Sequence, residues 1–181
     1  MRSMIVAALA VTLGLSFSGI NADDLKSGPD KKIAGPFQVK AFTGEKAGTS
    51  LCYVCKFNGE ARPAVVLIFT QKADENLVKV VKAVDEVQKG NEKLGTVVVG
   101  VGGVAASDFE KLQTTHKLTT PLTVAEDKDG PEAYKLNKDA AVTVLVYSKG
   151  GKISKNFAFK SSKEAAEKSA DIAAAAKDVI K

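Results

Sequence analysis

A chain of 181 residues carrying 26 Lys and Arg against 21 Asp and Glu, net charge +5, is long enough for one domain with its own core and short for two. Charges of both signs are interspersed along it. There is no block of Lys and Arg and no basic stripe interleaved with aromatics, which argues against a nucleic-acid partner.

Met1-Arg2 is a short basic start, and Ile5 to Phe17 is apolar but shorter than a comfortable membrane span. Ile20-Asn21-Ala22 places a small residue where cleavage would fall. This layout predicts a secretory signal peptide over residues 1–22, with an uncleaved anchor as the alternative. The expected product is exported, periplasmic or extracellular, with no further membrane segment. Asp23 to Lys32 is polar and contains Gly28-Pro29; residues 23–35 read as a flexible leader and residues 36–181 as the domain.

Phe37 to Phe42 alternates apolar and polar residues, the period of a half-exposed strand, and Thr43-Gly44-Glu45-Lys46 turns the chain. Cys52-Tyr53-Val54-Cys55 follows, and Phe57 to Pro63 reads as a turn. Ala64 to Phe69 is a continuous, β-branched apolar run, as in strands buried on both faces. Asp74 can cap the next element, in which Leu77, Val80, Val81, Val84 and Val87 recur at helical spacing. Thr96 to Val101 is a second buried strand. Strand, helix and strand at this spacing form a βαβ unit with parallel strands and a right-handed crossover.

Ser107 is placed to cap a short helix with Phe109 and Leu112. Leu122 to Ala125 reads as a short strand, and Pro131 to Leu136 as one or two helical turns. Val142 to Tyr147 is a third strong strand, joined by Ser148 to Lys152 to an antiparallel return over Ile153 to Phe159. Ser161 and Glu164 have capping-box spacing and open a helix striped by Ile172, Ala173, Ala176, Val179 and Ile180. The sum is an α/β class fold with a mixed central sheet and helices on both faces.

That order of elements resembles the thioredoxin-like superfamily, in its peroxiredoxin and thioredoxin-like lipoprotein (redoxin) branch. The local resemblance rests on Phe42-Thr43-Gly44-Glu45, on Ala125 to Gly130 with Tyr134 following, and on Val142 to Ile153. It spans Phe37 to Lys181 and implies a single thioredoxin-like domain. In that branch the reactive cysteine follows the first core strand, and a cis-proline precedes the third strong strand. Here those places read Thr70 to Asn76, without cysteine, and Asp139 to Thr143, without proline. The chain resembles exported bacterial members in which the pair is displaced. By topology the pair falls at the beginning of the first core strand, opposite the usual pole, unless the loop wraps round.

Cys52 and Cys55 are the only cysteines, and they are the candidate catalytic residues. A ring this small adds little loop-closure stabilisation, so the spacing suits thiol–disulfide exchange or metal ligation better than stapling. In the exchange reading Cys52 attacks as thiolate and Cys55 resolves the mixed disulfide, with Lys56 and Arg62 lowering the thiol pKa. The partner is then a protein thiol or disulfide. A static disulfide is the main alternative and makes the chain a non-catalytic binding or structural domain. Zinc held by four sulfurs would need a second such pair from another protomer, and covalent haem would want a histidine where Lys56 stands. No metal and no cofactor is expected. Peroxidase chemistry, which implies a thiol at the helix start, is disfavoured by Thr70 to Asn76.

Gly100-Val101-Gly102-Gly103-Val104-Ala105 fits a dinucleotide fingerprint with Glu126 downstream, but too little parallel sheet follows to build that domain, and it is read as a turn. Asp127, Asp129 and Glu132 lack the spacing of a calcium loop and are read as a polar turn. His116 is the only histidine, so no Ser-His-acid set is indicated.

Overall fold

The computed structural model describes residues 25–180; the expected signal peptide, residues 1–22, lies outside them. Seven strands form one mixed sheet in the order β2-β1-β5-β4-β3-β6-β7. At its centre β3 (Ala64–Thr70) and β4 (Leu94–Gly100) are buried along their whole length and pair in parallel. β6 (Val142–Ser148) flanks β3 antiparallel, and β7 (Ile153–Phe159) returns beside it. On the other flank β5 (Leu122–Ala125) runs parallel to β4. The short strands β1 (Val39–Ala41) and β2 (Ser50–Leu51) complete that edge.

Parallel strands must be covered on both faces, and the two covers are unequal. One face, carrying Val66, Ile68, Val98 and Val144, packs under α2 (Glu75–Lys89), α3 (Ala106–His116), α4 (Ser162–Glu167) and α5 (Ser169–Ile180). The other, carrying Leu67, Phe69, Val97 and Leu145, is closed by α1 (Tyr53–Gly59), a 3₁₀ turn at Glu132–Tyr134, and the chain around Ile33 and Phe37. The expected mixed sheet with helices on both faces is present.

Two polar side chains fix the thick layer. Asp74 Oδ1 accepts the Asn76 and Leu77 amides, each at 3.0 Å, capping α2 as expected, and its Oδ2 accepts the Ser162 hydroxyl of α4 at 2.6 Å. Asp85 of α2 is only 4% exposed. It accepts the Thr119 and Thr120 amides at 3.0 and 3.1 Å, and also the Thr120 hydroxyl. A buried carboxylate is tolerable only when so saturated, and here it clamps the loop that feeds β5.

Three expectations change. The C-terminal helix is two helices that meet at Lys168. α3 starts at Ala106 after Ala105, with no side-chain cap, so Ser107 lies inside it. The third concerns the described part of the flexible leader, which is strapped down. Ser27 is buried with its hydroxyl 2.6 Å from that of Thr143. Asn156 Nδ2 donates to the carbonyls of Ser27 and Pro29 at 3.0 and 3.1 Å. Lys32 forms a β-bridge with Lys152, and the Ile33 amide donates to the Gly151 carbonyl at 2.9 Å. This strap crosses β6 on the thin face, where a Cβ on Gly28 would meet Leu145 and Thr143.

Candidate functional site

The cysteine segment joins a strand to a helix, and that helix runs on through Phe57 to Gly59, where the sequence reads as the start of a turn. β2 runs antiparallel to β1, as does β5, so it points the same way as the central parallel strands. α1 then runs back over the thin face, burying Tyr53, Val54 and Phe57. The ring of Phe57 sits on Gly95 of β4, where a Cβ would lie 3.0 Å from two ring carbons. Gly95 is therefore the footing of α1. The spacing of Tyr53, Val54 and Phe57 is the sequence signal for this helix, but seven residues are too few for periodicity to decide.

Cys52 occupies the N-cap of α1 in extended conformation (φ −101°, ψ 104°). Its Sγ accepts the Cys55 amide N–H at 3.1 Å. The two cysteines are joined by a disulfide, with Cα atoms 5.2 Å apart. They differ in access: Cys52 is half-buried and packs against the apolar cluster under α1, whereas Cys55 is exposed.

The expected role of Lys56 and Arg62 is not what the geometry gives. Lys56 Nζ lies 2.6 Å from Glu60 Oε1, and Arg62 Nε lies 2.7 Å from Glu60 Oε2. Arg62 Nη1 also donates to the carbonyls of Glu92 and Leu94. Both cations are committed to Glu60, whose carboxyl they hold below its ordinary range, Lys56 more than Arg62. The direct stabiliser of negative charge on sulfur is the Cys55 amide at Cys52 Sγ. Burial, and secondarily Glu45, push the neighbouring Tyr53 hydroxyl up to about 12.

A groove of about 400 Å³ opens beside Cys55. Val54, Phe57, Ile33, Pro36 and Tyr147 contribute its apolar lining, and the β6–β7 hairpin at Ser148–Gly151 forms one wall. Ala64 pairs with Ser148, so the groove lies where β3 begins, as the sequence position of the pair suggested.

No protein-family model matches the chain and no curated protein matches its sequence. Solved structures do match. A secreted thiol-disulfide isomerase from Corynebacterium glutamicum superposes with a TM-score of 0.62 at 11% identity, over 87% of this chain and 94% of that one. A DsbF homologue from Corynebacterium diphtheriae gives 0.56 at 14% identity, over 80% and 90%. The bacterioferritin comigratory protein of Xanthomonas campestris, studied for alkyl peroxide reduction, gives 0.57 at 14% identity, over 87% and 100%. The chain has a thioredoxin-like fold.

In this fold the pole where β3 ends is stitched together by Gln71. The Gln71 amide donates to the Ala141 carbonyl at 2.9 Å. Its side-chain Nε2 donates to the carbonyls of Lys138 and Ala140, both at 2.9 Å. A cavity of about 110 Å³ lies there, lined by Phe69, Val101 and Thr143 among others. Within Thr70 to Asn76, the run where the resemblance implied a cysteine, Gln71 thus ties two loops together.

The remaining sequence motifs have structural partners. Gly100 lies under Phe109, where a Cβ would come within 2.8 Å of the ring, so the fingerprint-like run is a close strand–helix contact. Asp127 Oδ1 accepts the Asp129 amide at 3.1 Å, closing a turn, and Asp129 pairs with Lys138 at 3.2 Å. His116 Nε2 lies 2.9 Å from Glu75 Oε1, joining α3 to the start of α2.

Proposed function

We propose that this thioredoxin-like protein is an exported thiol–disulfide oxidoreductase in which Cys55 Sγ is the exchanging sulfur and Cys52 the leaving and resolving one. The observation that carries the reading is the unequal access of the two sulfurs. Cys55 is exposed at a groove, and Cys52 is half-buried at a helix cap with an amide N–H aimed at it. This order of roles is the reverse of the one that sequence position suggested.

A substrate thiolate attacks Cys55 Sγ, the Cys52–Cys55 bond breaks, and the electron pair leaves on Cys52 Sγ. Charge develops where the Cys55 amide already points, so the leaving group is stabilised without rearrangement. The intermediate is a mixed disulfide through Cys55. A second substrate thiolate then attacks the substrate sulfur of that bond and expels Cys55 as thiolate. Two substrate thiolates have become one substrate disulfide, and the protein leaves as the dithiol. The reverse sequence reduces a substrate disulfide, with Cys52 resolving.

Export is supported by the layout of residues 1–22 and by the secreted character of the Corynebacterium glutamicum neighbour. Among the described residues no helix is long and apolar enough to cross a membrane. The second reading, a non-catalytic domain whose disulfide pins α1, is favoured by the stitched pole at Gln71. The test is the reduction potential of the pair in the exported-length chain, read by thiol labelling across a glutathione series. A midpoint between about −120 and −270 mV, the span of exchange proteins, supports exchange. A midpoint below about −300 mV marks a structural disulfide and selects the second reading.

A further inference from the structure

We propose that the groove beside Cys55 selects its substrate: it takes a cysteine-bearing polypeptide segment with an apolar residue next to the cysteine and carboxylates flanking it. This rests on the exchange reading above. The lining is apolar at Val54, Phe57, Ile33, Pro36 and Tyr147, and Cys55 stands at its edge. Lys32 and Lys149 line the same groove, with Lys31 and Lys152 adjacent on the strap and the hairpin. All four lysines are exposed, and none forms an ion pair among the described residues.

Among the described residues no Asp or Glu lines the groove, and its third cation, Arg62, is already paired with Glu60. The unbalanced charge is therefore positive, from two different elements, the strap and the hairpin, that meet at this pole through the Lys32–Lys152 bridge. A low-dielectric floor beneath a one-sign rim raises the local concentration of the opposite sign. The volume of about 400 Å³ is that of a drug-sized ligand site, which corresponds to a few residues of chain. A partner with both an apolar side chain and carboxylates satisfies floor and rim together.

The test uses Cys52→Ser, which leaves the exposed Cys55 as a lone thiol. Two peptides, Glu-Leu-Cys-Leu-Glu and Lys-Leu-Cys-Leu-Lys, are each supplied as the mixed disulfide with nitrothiobenzoate. Attack by the Cys55 thiolate on the peptide sulfur forms the protein–peptide disulfide and releases coloured nitrothiobenzoate. The expected result is a second-order rate about tenfold higher for the acidic peptide at low ionic strength. The ratio falls toward unity in about 1 M salt, where screening acts over a few ångströms.

Lys32→Glu with Lys149→Glu reverses the preference. Both side chains are exposed and unpaired, so folding is retained, as an unchanged melting temperature shows. Equal rates for the two peptides overturn the proposal, as does a preference that survives the double charge reversal. The nitrothiobenzoate disulfide of glutathione reacting as fast as the acidic peptide also overturns it, in favour of a small anionic thiol. No reaction with any of the three disulfides sinks the exchange reading itself, which separates the two failures.

Discussion

Cys52 does two jobs in α1, and substitutions separate them. Closing a ring between residues three apart removes loop entropy worth about 2 kcal/mol in the chain-entropy account. The second job is the cap, with Sγ accepting the Cys55 amide at 3.1 Å. A serine hydroxyl at an N-cap is a preferred acceptor whose replacement by alanine costs up to about 2 kcal/mol, with the weaker thiol acceptor midway between them. Cys52→Ser therefore loses the bridge and improves the cap, for a net loss of about 1 kcal/mol. Cys55→Ser loses the bridge and keeps a thiol cap, for about 2 kcal/mol. Cys52→Ala loses both, for about 3 kcal/mol. Urea unfolding of the three variants and the oxidised parent, with equal slopes required, gives the order directly. Equal stability of Cys52→Ala and Cys52→Ser would refute the capping role. A loss of 4 kcal/mol or more in Cys52→Ser would refute the view that so small a ring is a weak staple.

Asp85→Ala strands two amides and a hydroxyl at the loop entering β5; chemical denaturation should show a loss of about 3 to 5 kcal/mol, as for other broken buried charge networks. Gly95→Val drives side-chain atoms into the Phe57 ring, already 3.0 Å from a Cβ, and should cost about 1 to 3 kcal/mol by overpacking. Phe57→Leu in the same chain should return part of that loss, measurable as a coupling energy in a double-mutant cycle. The Tyr53 hydroxyl is held up to about 12, so the folded state keeps a proton that the unfolded chain, titrating near 10, gives up. Its stabilising contribution is complete below about pH 10 and is lost as pH rises to about 12, amounting to roughly 2 kcal/mol. Burial pushes Tyr134 and Tyr147 in the same direction, so Tyr53→Phe should reduce, without abolishing, the alkaline fall in melting temperature of the oxidised protein.

What could be read from the sequence was what local chemistry decides. The apolar runs of β3, β4 and β6 have no alternative to burial, and the Asp74 cap with the valine stripe after it fixes α2 within a few residues. The cysteine helix escaped because its cap is a cysteine, its length is seven residues, and its footing, Gly95, lies far along the chain. Gly95 read alone is a turn residue; only with the Phe57 ring above it is it a strand residue. The strap escaped for the same reason. Ser27 and Thr143, which hold it, are separated by 116 positions, and a polar run with Gly28-Pro29 carries no periodicity that would reveal such a contact. At the site, the spacing of the cysteines and their place at the start of β3 were legible, whereas which sulfur faces solvent was not. That depends on how α1 rolls onto the sheet.

The unequal covers of the sheet have a kinetic consequence. The face under α2, α3, α4 and α5 is held by four helices, whereas the face carrying the disulfide is closed by one short helix, a single 3₁₀ turn and a strap. Regions with few buried contacts and short hydrogen-bonded runs open at low free energy, independently of global unfolding. Amides of α1 and of Ile33 should thus exchange with solvent deuterium well before those of β3 and β4. The disulfide then rides on a layer that can lift from the sheet, while the helical face keeps the strands in register for the layer to settle back.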